Sequence, residues 1–153
     1  MKIALIGGTG TSGRGMALRL AANNDVLIGS RDTSKAMTRA LELSKLSYRT
    51  ISDDSNTAVA GQCDAAILVV PETFDAGFLE EMAHPLAGKL VISPIMPIAV
   101  NHRRVVHALA EGSAAEKVAS VLTRSTVAAA LNTLPAATLA DGAKKIMNRS
   151  KAE

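Results

Sequence analysis

Residues Gly8-Thr9-Gly10-Thr11-Ser12-Gly13, inside a turn that runs from Gly7 to Gly13, match the spacing G-x-G-x-x-G. Each glycine has its own physical reason. Gly8 makes the turn, Gly10 lets the backbone approach a pyrophosphate, and Gly13 lets a helix pack closely on a strand. Thr11 and Ser12 fall where that helix begins, so unsatisfied N–H groups and the helix dipole favour an anion there, and the hydroxyls of Thr9, Thr11 and Ser12 add hydrogen bonds. By itself the spacing marks only a tight turn. Between a strand and a helix at the head of a β-α series it reads as a dinucleotide cradle. A site for NAD ends the second strand in Asp or Glu, which accepts bonds from the ribose hydroxyls. Here that position reads Gly29-Ser30-Arg31. Arg31 offers a planar fork of donors, Ser30 a hydroxyl and Lys35 a second positive charge one helical turn on, a combination suited to the 2′-phosphate of NADP(H). Asp32 leaves NAD open as an alternative, should its carboxylate face the ribose instead.

Other chemistry finds less support. At the end of the fourth strand, Val70 and Pro71 would lie under the nicotinamide ribose, a role compatible with proline simply ending a strand. His84 precedes Pro85 in a helix-ending turn, and His102 and His107 share a stretch with Arg103 and Arg104, so all three imidazoles read as solvated. The chain has no H-E-x-x-H, C-x-x-C or G-x-S-x-G pattern, which removes the usual sequence support for metal or acyl-transfer chemistry. The single cysteine, Cys63, has no partner for an internal disulfide and reads as a buried, inert thiol suited to a reducing cytoplasm.

The elements that must position these residues alternate. Lys2–Ile6 is a β-branched apolar run, and apolar residues return at helical spacing over Ser12–Asn23. The expected series continues with a strand at Val26–Gly29, a helix at Thr33–Leu46 capped by Thr33, a short strand at Tyr48–Ile51 and a brief helix within Asp53–Ala60. Ala65–Val70 is an unbroken apolar run, as in a strand covered on both faces. Then come a helix at Glu72–Ala83, a strand at Leu90–Ser93, a helix at Ser113–Leu122 opened by a Ser113/Glu116 capping box, and a strand at Thr126–Leu131. Such alternation specifies an α/β fold of Rossmann type: a doubly wound, mostly parallel six-stranded sheet in the order 3-2-1-4-5-6, with its ligand site at the carboxyl ends of the strands. Ser93–Arg104, with Pro94 and Pro97, is expected to be a loop lining a pocket.

With 153 residues, 48% of them hydrophobic and only 2% aromatic, the chain reads as one domain with an aliphatic core. Residues 1–142 are expected to form the nucleotide-binding domain and residues 143–153 a short basic helix or tail, carrying Lys144, Lys145, Arg149 and Lys151. A formal charge of +3 suits polyanionic small molecules as well as nucleic acid and decides little. No apolar run approaches the ~18 residues of a membrane span, and Met1 leads straight into a strand rather than a signal peptide. The expectation is a soluble protein that binds neither membrane nor nucleic acid.

The stretch IALIGGTGTSGRGMALRLA followed by VLIGSRD resembles the NADPH-dependent coenzyme F-420 (F420) reductases, and VISPIMPI, SAAEKVASVL and ALNTLPAATLAD resemble later motifs of that family. The resemblance implies that Thr9, Thr11, Ser12, Ser30, Arg31 and Lys35 contact NADP(H). It also implies that Pro71, Met96, Pro97, Asn132, Thr133, Leu134 and Pro135 surround facing nicotinamide and deazaflavin rings. The chemistry implied is direct hydride transfer, which asks the protein chiefly to stack two rings and exclude water. Two features depart from the family's pattern. Asn132 stands where archaeal members often have His, and the family continues for a further helical segment where this chain ends at Glu153. The second-substrate pocket would then be completed by a homo-oligomer or another chain. An NADPH-binding subunit or sensor without its own catalysis is the alternative.

Overall fold

A computed structural model of the chain describes residues 1–71, 73–74, 76–101, 104–107 and 112–139. Strands Lys2–Ile6 (β1), Asp25–Ser30 (β2), Ile51–Ser55 (β3), Ala65–Leu68 (β4) and Leu90–Ser93 (β5) alternate with helices Thr11–Leu20 (α1), Thr33–Ser47 (α2), Asn56–Gln62 (α3) and Ala76–Ala83 (α4). An antiparallel hairpin, Ile98–Asn101 (β6) with Arg104–His107 (β7), precedes helix Ala114–Val121 (α5) and strand Thr126–Ala129 (β8). All pairings in the main sheet are parallel, in the order β3-β2-β1-β4-β5-β8. Counting strands of that sheet along the chain, this is the expected 3-2-1-4-5-6.

Because strand side chains alternate faces, each central strand contributes to two cores. Ile3 and Leu5 of β1 join Met16 and Leu18 of α1 and Ala36, Ala40 and Leu43 of α2 on one side. Ala4 and Ile6 join Val59 of α3, Leu79 and Met82 of α4 and Val118 of α5 on the other. Chain reversal between β1 and β4 therefore leaves a crevice at their carboxyl ends, where consecutive crossovers go to opposite faces. A last helical turn at 136–139 returns to α1, where Arg19 donates to the carbonyls of Leu139 at 3.0 Å and Thr138 at 3.1 Å.

Several boundaries differ from the sequence expectation, each for a local reason. Tyr48 adopts φ 54° as the C-cap of α2, a left-handed conformation incompatible with the start of a strand, so β3 begins at Ile51 rather than Tyr48. The brief helix accordingly starts at Asn56 behind an N-cap made by Ser55. Helix α2 is capped by Asp32, not Thr33: its carboxylate accepts from the backbone N–H groups of Ser34 at 3.1 Å and Lys35 at 3.3 Å. The expected loop at Ser93–Arg104 holds β6 and the first residue of β7, since the β-branched runs on either side of a short connection pair with each other despite the absence of a glycine turn. Strand β4 stops at Leu68 and β8 at Ala129, shortly before Leu131 turns to φ 67°. The capping box at Ser113 and Glu116 forms as expected. The basic tail at residues 143–153 and His102 lie outside the described residues.

Candidate functional site

The turn between β1 and α1 is held by its own backbone. Gly7 takes φ 74°, and its N–H donates to Asn56 Oδ1 at 2.9 Å. The Gly8 N–H is shared between the carbonyls of Leu5 at 3.1 Å and Gly29 at 3.0 Å, which ties the turn to the end of β2. A Cβ on Gly13 would run into the Gly8 carbonyl, so only glycine lets α1 descend onto the turn. Gly10 differs. It is the N-cap of α1 without a side-chain cap, and a Cβ there would meet nothing within 4 Å. Its missing side chain leaves room on the cleft side, beside first-turn N–H groups that have no intrahelical acceptor. The first turn of α1 contains no acidic residue.

These elements open on a cleft of about 1110 Å³. Its lining follows the carboxyl edge of the sheet, from Ser30, Arg31 and Lys35 beyond β2 at one end, through Thr9, Gly10, Thr11 and Ser12 after β1 and Val70 and Pro71 after β4, to Asn132 and Leu134 beyond β8 at the opposite end. Gly8 and Gly13 do not line it but meet each other in the turn behind that lining. Met96, Pro97, Thr133 and Pro135 do not line the cleft, and Pro94, Ile95 and Leu131 take their place in its wall. At the Ser30 end, Ser30 is 7% exposed and its hydroxyl accepts from the Asp32 N–H at 3.1 Å. Asp32 is turned to the start of α2 and stands 3.6 Å from Lys35 Nζ. Arg31 is exposed and forms no ion pair among the described residues.

Five contributors were missed by sequence reasoning. Asn56, 7% exposed, lines the cleft while bonding Gly7, and no local signal marks it. Phe74, just ahead of α4, and Phe78, within it, two of the chain's three aromatic residues, both line it; their rarity in this composition was the available signal. Lys117 of α5 holds the first of them, with Nζ 4.6 Å from the Phe74 ring centre and a hydrogen bond of 3.3 Å to its carbonyl. Arg39 of α2 donates to the Thr9 carbonyl at 3.0 Å. Among the described residues no group of three or more His, Cys, Asp or Glu side chains could hold a metal ion, and no helix is long and apolar enough to cross a membrane.

The family model for NADP oxidoreductases that are coenzyme F420-dependent matches residues 2–97, from β1 through the loop after β5. The chain belongs to this family. It is 38% identical over 154 aligned residues to an F420-dependent NADP reductase of Methanothermobacter marburgensis, covering 92% of this chain and 67% of that protein. It is 37% identical to the enzyme of the same name from Methanocaldococcus jannaschii, with the same coverage of 92% and 67%. Against the corresponding protein of Methanothermobacter thermautotrophicus the coverage is 91% and 64%, so the chain spans about two thirds of the length of these relatives. A solved structure from Arthrobacter sp. FB24 that carries the same name provisionally superposes with a TM-score of 0.72 at 26% identity, over 90% of this chain and 64% of that one. A shikimate dehydrogenase solved with NADP+ superposes at TM-score 0.58 and 19% identity, over 95% of this chain and 48% of that one, a likeness of fold alone.

Proposed function

We propose that this member of the family is an oxidoreductase that exchanges a hydride between NADP(H) and a deazaflavin, coenzyme F-420. The observation that carries the NADP(H) half is the pairing of two anion-seeking places in one cleft. One is the glycine turn with the open side of Gly10 and the uncapped start of α1. The other is the unpaired Arg31 beside Ser30, with the neighbouring acid Asp32 already engaged by α2. The residues fit a dinucleotide diphosphate carrying a 2′-phosphate. Family membership supports F-420 as the second reactant and weighs against a module without catalysis.

In this reading the first-turn N–H groups of α1 and the hydroxyls of Thr9, Thr11 and Ser12 bind the pyrophosphate. Ser30, Arg31 and Lys35 bind the 2′-phosphate. Val70 and Pro71 bear on the nicotinamide ribose. Asn132 and Leu134, with Pro94, Ile95 and Leu131, come from the two loops at the far end and enclose the ring pair, and Met96, Pro97, Thr133 and Pro135 belong to the same loops behind that lining. When bound, the nicotinamide supplies the hydride and solvent the accompanying proton. The protein's own part is alignment and exclusion of water, which needs no acid, base or metal of its own. Leu131, Leu134 and Met96 are 37, 45 and 39% exposed at that far end, apolar surface that a second copy or another chain would cover. A reducing, cytoplasmic setting suits the buried free thiol of Cys63.

The test is to mix the purified protein with NADPH and oxidised F-420 and follow loss of the deazaflavin's visible absorbance. Turnover that saturates in both reactants is expected. Tight NADPH binding without turnover would remove the catalytic reading for the isolated chain, and absence of NADPH binding would remove the cofactor as well.

A further inference from the structure

Arg39, on the second turn of α2, is no part of the cleft wall, yet through it α2 reaches the glycine turn. Its Nε donates to the Thr9 carbonyl at 3.0 Å and its Nη1 to Glu42 Oε2 at 2.6 Å. The other Glu42 oxygen accepts from Arg14 Nε, on α1, at 3.2 Å. The side chains of Arg39, Glu42 and Arg14 are 28, 41 and 31% exposed, so the chain of charges is partly sheltered. A planar guanidinium donating along two fixed directions sets an orientation as well as a distance. Gly7 and Gly8 are already fixed by Asn56 and by the carbonyls of Leu5 and Gly29. Gly10 is tied to α1 by the Arg14 N–H, which donates to its carbonyl at 2.9 Å, and between these fixed points the Thr9 carbonyl is where Arg39 takes hold.

We infer that Arg39 is a positioning residue for dinucleotide binding: through the Thr9 carbonyl it fixes the pyrophosphate-facing turn to the helix whose first turn carries Lys35 and follows Arg31. The two anion-binding places in the cleft are thereby held at one separation. This rests on the NADP(H) reading proposed above. Without the fork, the turn spends part of its time in orientations that do not match the diphosphate, and apparent affinity falls by the fraction of molecules that remain competent.

The experiment compares binding of NADPH, NADH and 2′-AMP by calorimetry, with thermal denaturation as a check on folding. Arg39→Met is expected to weaken NADPH and NADH by the same factor, about tenfold, equivalent to about 1.4 kcal/mol, because the pyrophosphate is common to both. Binding of 2′-AMP, which has the 2′-phosphate and no pyrophosphate, stays at the level of the unsubstituted protein, whereas Arg31→Ala loses it. Arg39→Lys recovers part of the affinity, since one ammonium cannot serve both acceptors in the fork geometry. Unchanged binding of both dinucleotides overturns the inference. So does a loss confined to NADPH and 2′-AMP, which would mean that Arg39 meets the 2′-phosphate itself. If Arg39→Met fails to fold, Glu42→Gln is read in the same way: a few-fold loss for both dinucleotides is expected and no change overturns. Failure of the unsubstituted protein to bind NADPH is a different result, which removes the cofactor reading on which the inference rests.

Discussion

Replacing Arg31 by alanine removes a guanidinium that stands in solvent and has no ion pair among the described residues. The fold should scarcely register the change, with stability within roughly 0.5 kcal/mol of the original. The effect falls on the ligand. A hydrogen bond to a charged group contributes about 1.5–3 kcal/mol, and an exposed site takes the lower end, so the dissociation constant for NADPH should rise about tenfold. Arg31→Glu adds a like charge near the phosphate, worth about 1 kcal/mol at 4 Å in a water-like dielectric, and brings the loss toward fiftyfold. NADH lacks the 2′-phosphate and should bind both variants within about twofold of the original, a difference of about 0.4 kcal/mol. Calorimetric titration of each protein with each cofactor, at one ionic strength because exposed charges are screened by salt, gives all the values required. Equal losses for NADPH and NADH, or no loss for either, would rule out a contact between Arg31 and the 2′-phosphate. The first result would mean that Arg31 meets a part that both cofactors share, and the second that it meets neither.

Other consequences follow from single contacts. Asn56→Ala leaves the Gly7 N–H without its acceptor and should cost about 1–3 kcal/mol in urea denaturation, together with affinity for NADPH. A variant as stable as the original would mean that another group takes over that bond. Gly13→Ala drives a methyl group into the Gly8 carbonyl; an overpacking cost of roughly 3 kcal/mol should lower the melting temperature and abolish NADPH binding, and unaltered binding would show that α1 can lift off the turn. Ser113→Ala removes the cap of α5, for about 1 kcal/mol by chemical denaturation. Its partner Glu116 is held below the usual carboxylate range by the Ser113 N–H and then by the Ser113 hydroxyl. A depressed folded pKa means that the carboxylate's contribution is present above the unfolded value and lost as pH falls through the folded one. The stability difference between the original protein and Glu116→Gln should therefore shrink on acidification below about pH 4; a difference that grows there would contradict the sign.

The parallel α/β layout and the strand order were legible because their signals are local. Apolar runs of strand length alternate with helical periodicity, and the handedness of crossovers leaves few ways to arrange them. The glycine turn was legible for the same reason, since what Gly10 and Gly13 permit depends on a strand and a helix adjacent in sequence. Arg31 could be placed in the cleft because it follows a strand paired with the first. Boundaries that turn on one backbone angle, such as Tyr48 ending α2 in the left-handed region, carried no comparable signal in a tyrosine.

Local pattern in the sequence thus sufficed for the architecture, for the glycine turn between β1 and α1 and for the position of Arg31 just beyond β2. What steadies them comes from contacts between elements far apart in the chain. Asn56 meets Gly7 across 49 residues and Arg39 meets Thr9 across 30, contacts set by how β3 registers on β2 and how α2 packs beside α1. Tertiary packing also brought Phe74, Phe78 and Leu131 into the cleft wall and turned the carboxylate of Asp32 toward its own helix. Periodicity and turn chemistry act over a few residues, whereas a side chain's partner across the sheet depends on the register and packing of whole elements.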